Sequence, residues 1–85
     1  MNLTMFAVYD KVAEAYSNPF YLTYKGEAVR IFADMANDPK TKICVHRTDF
    51  SLFKLAEFDD HTGKITPLNQ PEFIINATDF EKKEA

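Results

Sequence analysis

The chain has 85 residues and a single cysteine, Cys44. No disulfide can close within it, and no framework of bridges staples the fold. Small secreted domains usually need such staples, so a reducing cytosol is expected. Long apolar runs are missing as well. The longest are a few residues, such as Met5 to Tyr9, against the roughly 20 that a membrane span requires. The first residues, Met1 to Phe6, carry no basic region ahead of an apolar one, so no signal peptide is expected. Positive charge is in short supply: 10 Lys and Arg stand against 13 Asp and Glu, a net charge of −3. That excludes coating or condensing nucleic acid by bulk electrostatics. The deficit is uneven. Residues 69–85 hold Glu72, Asp79, Glu81 and Glu84 against two lysines, and the first 68 residues are almost balanced. A nearly neutral body with an acidic tail still has room for a local basic patch.

Sets of residues that carry chemistry are also lacking. Gly63-Lys64-Ile65-Thr66 echoes a phosphate loop, but that motif needs a glycine five residues before the Gly-Lys pair, where Phe58 stands. It also needs a helix to follow, and the pattern here is that of a strand. A hairpin turn explains the segment better. Asp59-Asp60-His61 lacks the alternating oxygen ligands and later Glu of a calcium loop, and reads as a solvated turn. Cys44 and His46 share one side of an extended segment, yet two ligands make no zinc site. A nucleophilic Cys44 served by His46 or His61 is open on residue type alone. A small core cysteine between Ile43 and Val45 is the plainer reading. We expect no metal, no cofactor and no catalysis.

What is present is apolar and aromatic: 46% of residues are hydrophobic and 14% aromatic. That is too much for a disordered chain and enough for one small domain. Leu3 to Tyr9 reads as a strand. Lys11 to Tyr16 is mildly helical, Ser17-Asn18-Pro19 is a turn, and Phe20 to Thr23 is a second strand. Ala28, Val29, Phe32, Met35 and Ala36 form one apolar stripe of a helix, with Glu27, Arg30 and Asp34 on its other side. Thr23 is the expected N-cap, and Asn37-Asp38-Pro39 ends the helix. Ile43-Cys44-Val45 reads as a short strand or extended link. Phe50 to Phe58 is the longest expected strand. Gly63 supplies the left-handed residue of a tight hairpin, and Lys64 to Leu68 returns. The order is β-β-α-β-β, an α+β domain with one main helix on one face of a small antiparallel sheet of three to four strands. Residues 1–68 are expected to form the domain. Residues 69–85 form a C-terminal tail, packed at about 72–76 through Phe73-Ile74-Ile75 and frayed from Glu81.

Both long strands are apolar on both faces, and one helix covers only one face of a sheet. The tail, a second subunit or stacked bases are candidates for the other. If the two strands are neighbours, Phe6, Val8, Phe53 and Leu55 share the face opposite the helix, and a homodimer would bury it. For nucleic acid, single strands are the better ligand, with Lys25, Arg30, Lys54 and Tyr21 as candidate contacts. Arg30 has a bland reading too, as a snorkelling side chain paired with Glu27 or Asp34.

Four segments in order resemble a known family. They are Phe6-Ala7-Val8-Tyr9-Asp10-Lys11 with Asn18-Pro19-Phe20; Gly26-Glu27-Ala28-Val29-Arg30-Ile31-Phe32; Asp49 to Asp59; and Thr62-Gly63-Lys64-Ile65. The chain resembles the small nonstructural protein of gokushoviruses, single-stranded-DNA phages of the microvirus family, from about Phe6 to Leu68. That family usually has Gly where this chain has Ala56, and often an Asn-Asp pair where it has Tyr24-Lys25. The resemblance implies a non-capsid protein in the host bacterial cytoplasm. It implies a part in the switch to single-strand genome synthesis through DNA or the replication complex, and it brings no catalytic residues. A protein–protein adaptor or homo-oligomer with no nucleic-acid role is the alternative.

Overall fold

The computed structural model describes residues 2–80. Strand β1 (Asn2–Asp10) leads through a turn to the two-residue strand β2 (Ala15–Tyr16), and β3 (Phe20–Leu22) follows. Helix α1 (Lys25–Asn37) comes next, then the one-turn helix α2 (Lys42–Val45) and a 3₁₀ turn at Arg47–Asp49. Strands β4 (Phe50–Asp59) and β5 (Ile65–Asn76) form a long hairpin, closed by a 3₁₀ turn at Ala77–Phe80. The sheet is antiparallel, in the order β2-β1-β4-β5, with β3 also paired to β1. The fold is α+β with one main helix, and the sheet has five strands.

The core lies between α1 and one face of the sheet. Ala28, Phe32 and Ala36 of the helix stripe are buried against Phe6, Val8, Phe50 and Leu52. Small alanines on the helix let it approach closely, and the large rings come from the strands. The register explains the partnership. Val8 lies opposite Leu52 and Phe6 opposite Phe20, and directly opposed residues point the same way. Phe6 and Val8 therefore sit beneath the helix, fully buried and 6% exposed respectively. The expectation that they share the far face with Phe53 is corrected. Phe53 lies opposite Ala7, on the other side of the sheet.

Leu55 is a bulge. Phe6 pairs with Lys54 and Met5 with Ala56, so Leu55 has no partner. One extra residue reverses which side the strand presents. Phe50 and Leu52 face the helix, whereas Ala56 and Phe58 join Phe53 on the opposite side.

Several local expectations change. Tyr24, not Thr23, is the N-cap of α1, and its N–H donates to the Glu27 carboxylate at 3.3 Å. Residues 43–45 are helical because Thr41 Oγ1 accepts from the Cys44 N–H at 3.1 Å and starts a turn. Residues 11–14 form no helix. Asp10 Oδ1 accepts from the N–H groups of Val12 and Ala13, and Glu14 takes a left-handed φ of 55° to close the turn. Gly63 has φ +79°, as its place in the β4–β5 hairpin requires.

The division at Leu68 falls inside β5. Residues 72–76 pair with Ser51 to Lys54, so they are sheet rather than tail. Leu68 to Pro71 bow out between two paired stretches, because Ala56 pairs with Pro67 and Lys54 with Glu72. Beyond the strand, Ala77 is fully buried and the Phe80 ring meets Phe32 edge-on at 5.9 Å. The buried Ser51 hydroxyl donates to Asn76 Oδ1 at 2.6 Å, and the Asn76 N–H donates to Asp79 at 3.1 Å. The fraying expected from Glu81 lies outside the described residues.

Two measurements test this frame. Replacing Phe80 with Ala is expected to lower unfolding free energy by about 1.5–3 kcal/mol, read from urea denaturation. A change below about 0.5 kcal/mol would show that the last turn adds nothing to the core. The second concerns Asp59, whose carboxyl is held below its usual 3.8 by the backbone N–H of His61, then that of Thr62. A lowered folded pKa means stability that is present above the unfolded value and lost as pH falls through the folded one. The difference in melting temperature between wild type and Asp59→Asn is expected to be constant near neutral pH. It should shrink as pH drops below about 4. A difference that persists undiminished to about pH 2 would mean the carboxylate is not what holds the turn.

Candidate binding surface

Alternation along the strands puts Leu3, Met5, Ala7 and Tyr9 of β1 on the side away from α1. Their direct partners are Phe58, Ala56, Phe53 and Ser51 of β4. From the flanking strands come Tyr16, opposite Tyr9, and Tyr21, opposite Met5. Strand β5 adds Phe73, opposite Phe53, and Ile65 and Pro67. Every position that the strand register assigns to this face is uncharged. None of these residues belongs to the hydrophobic cluster beneath α1.

The rings gather at two ends. Tyr9, Tyr16, Phe53 and Phe73 make one group: Tyr9 and Tyr16 lie 4.7 Å apart, and Phe53 meets Tyr16 and Phe73 edge-on at 5.7 and 5.8 Å. Tyr21 and Phe58 make the other, at 5.5 Å. Edge-to-face geometry at these distances favours ring–ring attraction and fixes the rings in place. Between the groups the floor is low, made of Ala7, Ala56 and Met5. Phe73 is still 52% exposed, Tyr21 43% and Tyr16 41%. Ile65, at the end of β5, is 52% exposed as well.

A cleft of about 530 Å³ lies on the other side, between the end of α1 and the β1–β3 edge. Val8, Phe20, Phe50, Met35 and Ile43 make its apolar lining. Two of its hydroxyls are engaged within the fold. Ser17 Oγ accepts from the Val8 N–H, and Thr41 Oγ1 donates to the Met35 and Asp38 carbonyls.

The structure divides the four candidate nucleic-acid contacts. Tyr21 is on the open face. Lys54 is opposite Phe6, on the helix side, and its ammonium meets the Glu57 carboxylate at 2.8 Å. Lys25 and Arg30 are exposed on α1. Tyr21 and Lys54 are thus on opposite faces of the sheet. Of the four self-association candidates, Phe53 alone is shown on the open face, with Phe6 and Val8 in the core and Leu55 in the bulge. Cys44 and His46 lie near the start of β4 and His61 beyond its end. The ten residues of that strand span about 30 Å. No three His, Cys, Asp or Glu side chains among the described residues are placed to hold a metal ion. No described helix is long and apolar enough to cross a membrane.

One residue that the sequence left unremarked is Arg47. Its Nε donates to the Ala36 carbonyl at 3.0 Å and its terminal nitrogen to Asn37 Oδ1 at 3.2 Å. It satisfies the open end of α1, where carbonyls lack partners and the dipole favours a cation. The signal was a basic residue shortly after a helix.

A family model described as Phage ORF5 protein matches residues 3–80. The chain belongs to that phage protein family. The match takes in the whole β4–β5 hairpin, so the family extends past Leu68, where the likeness read from motifs stopped. No curated protein and no solved structure matches the chain.

The uneven roles of the rings in this family member give a test. Phe53→Ala removes the ring at the centre of the larger group and is expected to cost about 1.5–3 kcal/mol. Phe73→Ala, at the sheet edge, is expected to cost less than about 1 kcal/mol. Chemical denaturation at high dilution compares them; equal losses would mean the rings do not form a graded cluster.

Proposed function

We propose that this phage protein is a nonstructural member of the gokushovirus kind that modulates synthesis of the single-stranded genome. In this reading it acts in the host bacterial cytoplasm, by binding rather than by catalysis, and the open aromatic face is its working surface. The observation that carries the reading is a broad face that is aromatic, partly exposed and free of charge. Exposed apolar patches of this extent mark interaction sites. An uncharged face fits a protein partner better than a phosphate backbone, which demands Lys or Arg at the contact. The part in genome synthesis is drawn from the likeness to gokushovirus nonstructural proteins, and the phage ORF5 family is consistent with it.

A phage carrying Phe73→Glu tests the proposal, since that ring is more than half exposed and its loss leaves the core intact. The expected result is normal duplex viral DNA with single-stranded genome reduced about tenfold, measured by strand-specific hybridisation. An unchanged ratio of single-stranded to duplex DNA would overturn it.

The exposed rings also favour a second reading, in which unpaired bases stack on them. With few cations near the face, such binding would have a shallow salt slope, about two to four ion equivalents. Fluorescence anisotropy with a labelled single-stranded oligonucleotide across a salt series measures it. A response that Tyr21→Ala or Tyr16→Ala removes would support stacking. No response at low salt and micromolar protein would exclude it.

A further inference from the structure

We infer that the partner of the open sheet face is a second copy of this chain, joined to it about a twofold axis. The inference rests on that face being the binding surface and names its occupant.

Charge is the first argument. A twofold interface brings each patch against itself, so any charge near the axis meets its own kind or is buried without a partner. A face with no charged position has neither problem. The charged side chains that the register assigns to the sheet, Lys54 and Glu57 among them, are on the helix side. A mixed partner would be selected by complementary charge, and this face offers none to read.

Relief is the second. The face has a high aromatic group at each end and a floor of alanine between. An antiparallel twofold sets the larger ring group of each copy over the smaller ring group of the other. Sheets packed face to face lie about 10 Å apart with their side chains interleaved. The partly exposed rings of Phe73, Tyr16 and Tyr21 are the natural knobs.

Area is the third. With nine residues in β1, ten in β4, seven paired in β5, and two and three in β2 and β3, each about 3.3 Å long and 4.8 Å wide, the face measures roughly 500 Å². A monomer rarely leaves more than about 300–600 Å² of contiguous apolar surface uncovered. Two such faces bury about 1,000 Å² together, the area that a specific interface is expected to reach.

The edge of the sheet supplies the fourth. Association by adding a strand would use β5, the outer strand of the long hairpin. Pro67 and Pro71 each lack the N–H that a ladder needs, and Leu68 to Pro71 bow out of line. Such devices block pairing at edges. Growth sideways is closed there, and the face remains.

Light scattering and sedimentation of the full chain at about 100 µM test the inference. A dimer is expected for wild type. Phe73→Glu and, independently, Tyr16→Glu are expected to weaken it by about a hundredfold or more, because symmetry puts two carboxylates in one apolar interface. Their circular dichroism and melting at high dilution should match wild type. Ile31→Glu, on the exposed side of α1, should remain a dimer. A monomeric wild type overturns the inference, as does a dimer that survives both glutamate variants. A monomeric wild type whose Phe73→Glu phage still loses single-stranded genome would remove the second copy and keep the face as a binding surface. A dimer whose Phe73→Glu phage replicates normally would support the interface and remove the proposed role.

Discussion

The antiparallel pairing of β1 with β4 decides where almost every large side chain goes. It runs from Asn2 opposite Asp59 to Asp10 opposite Phe50, interrupted once where Leu55 is passed over. On one side of that interruption β4 turns Phe50 and Leu52 toward the helix. On the other it turns Ala56 and Phe58 away. Without the bulge, strict alternation would put Phe58 on the helix side and take it from the second aromatic group. The bulge thus builds two surfaces from one strand: a closed core beneath α1 and an open layer of rings behind it.

The core is economical. Helix α1 contributes three small or medium contacts in Ala28, Phe32 and Ala36, and the sheet contributes the bulk through Phe6, Val8, Phe50 and Leu52. The last turn adds Ala77 and Phe80, which close the far end over Phe32. Polar groups at the margins are satisfied locally. Arg47 and Thr41 hold the C-terminal carbonyls of α1, and Ser51 bonds to Asn76 across the hairpin. A domain this small has little stability to spare, so the final turn belongs to the structure as much as the helix does.

The open face has a different character. Its rings meet one another in pairs, and Tyr16, Tyr21 and Phe73 stay about half exposed. A surface like this costs the isolated chain solubility and stability, and it is retained when it serves recognition. The separation of Tyr21 from Lys54 by the thickness of the sheet matters here. Stacking and phosphate contacts, which strengthen each other in single-strand binders, are held apart in this fold.

The residues alone determined a good deal. Period and spacing marked α1, because Ala28, Phe32 and Ala36 recur at helical intervals. Alternation marked β1 and the odd positions Leu3, Met5, Ala7 and Tyr9 as one side. Gly63 marked the hairpin, since the left-handed turn there needs it, and the excess of apolar strands announced a face that one helix does not cover. Tertiary structure decided the rest. Which side of β1 meets the helix depends on register with β4, a partner almost fifty residues away, and local pattern carries no record of it. The bulge at Leu55 is invisible for the same reason: it exists only relative to β1 and β5. Phe73 read as part of a packed tail, and Pro67 and Pro71 lie between it and the hairpin turn. In the fold they sit at a sheet edge, where a missing N–H costs nothing, and the strand resumes beyond them.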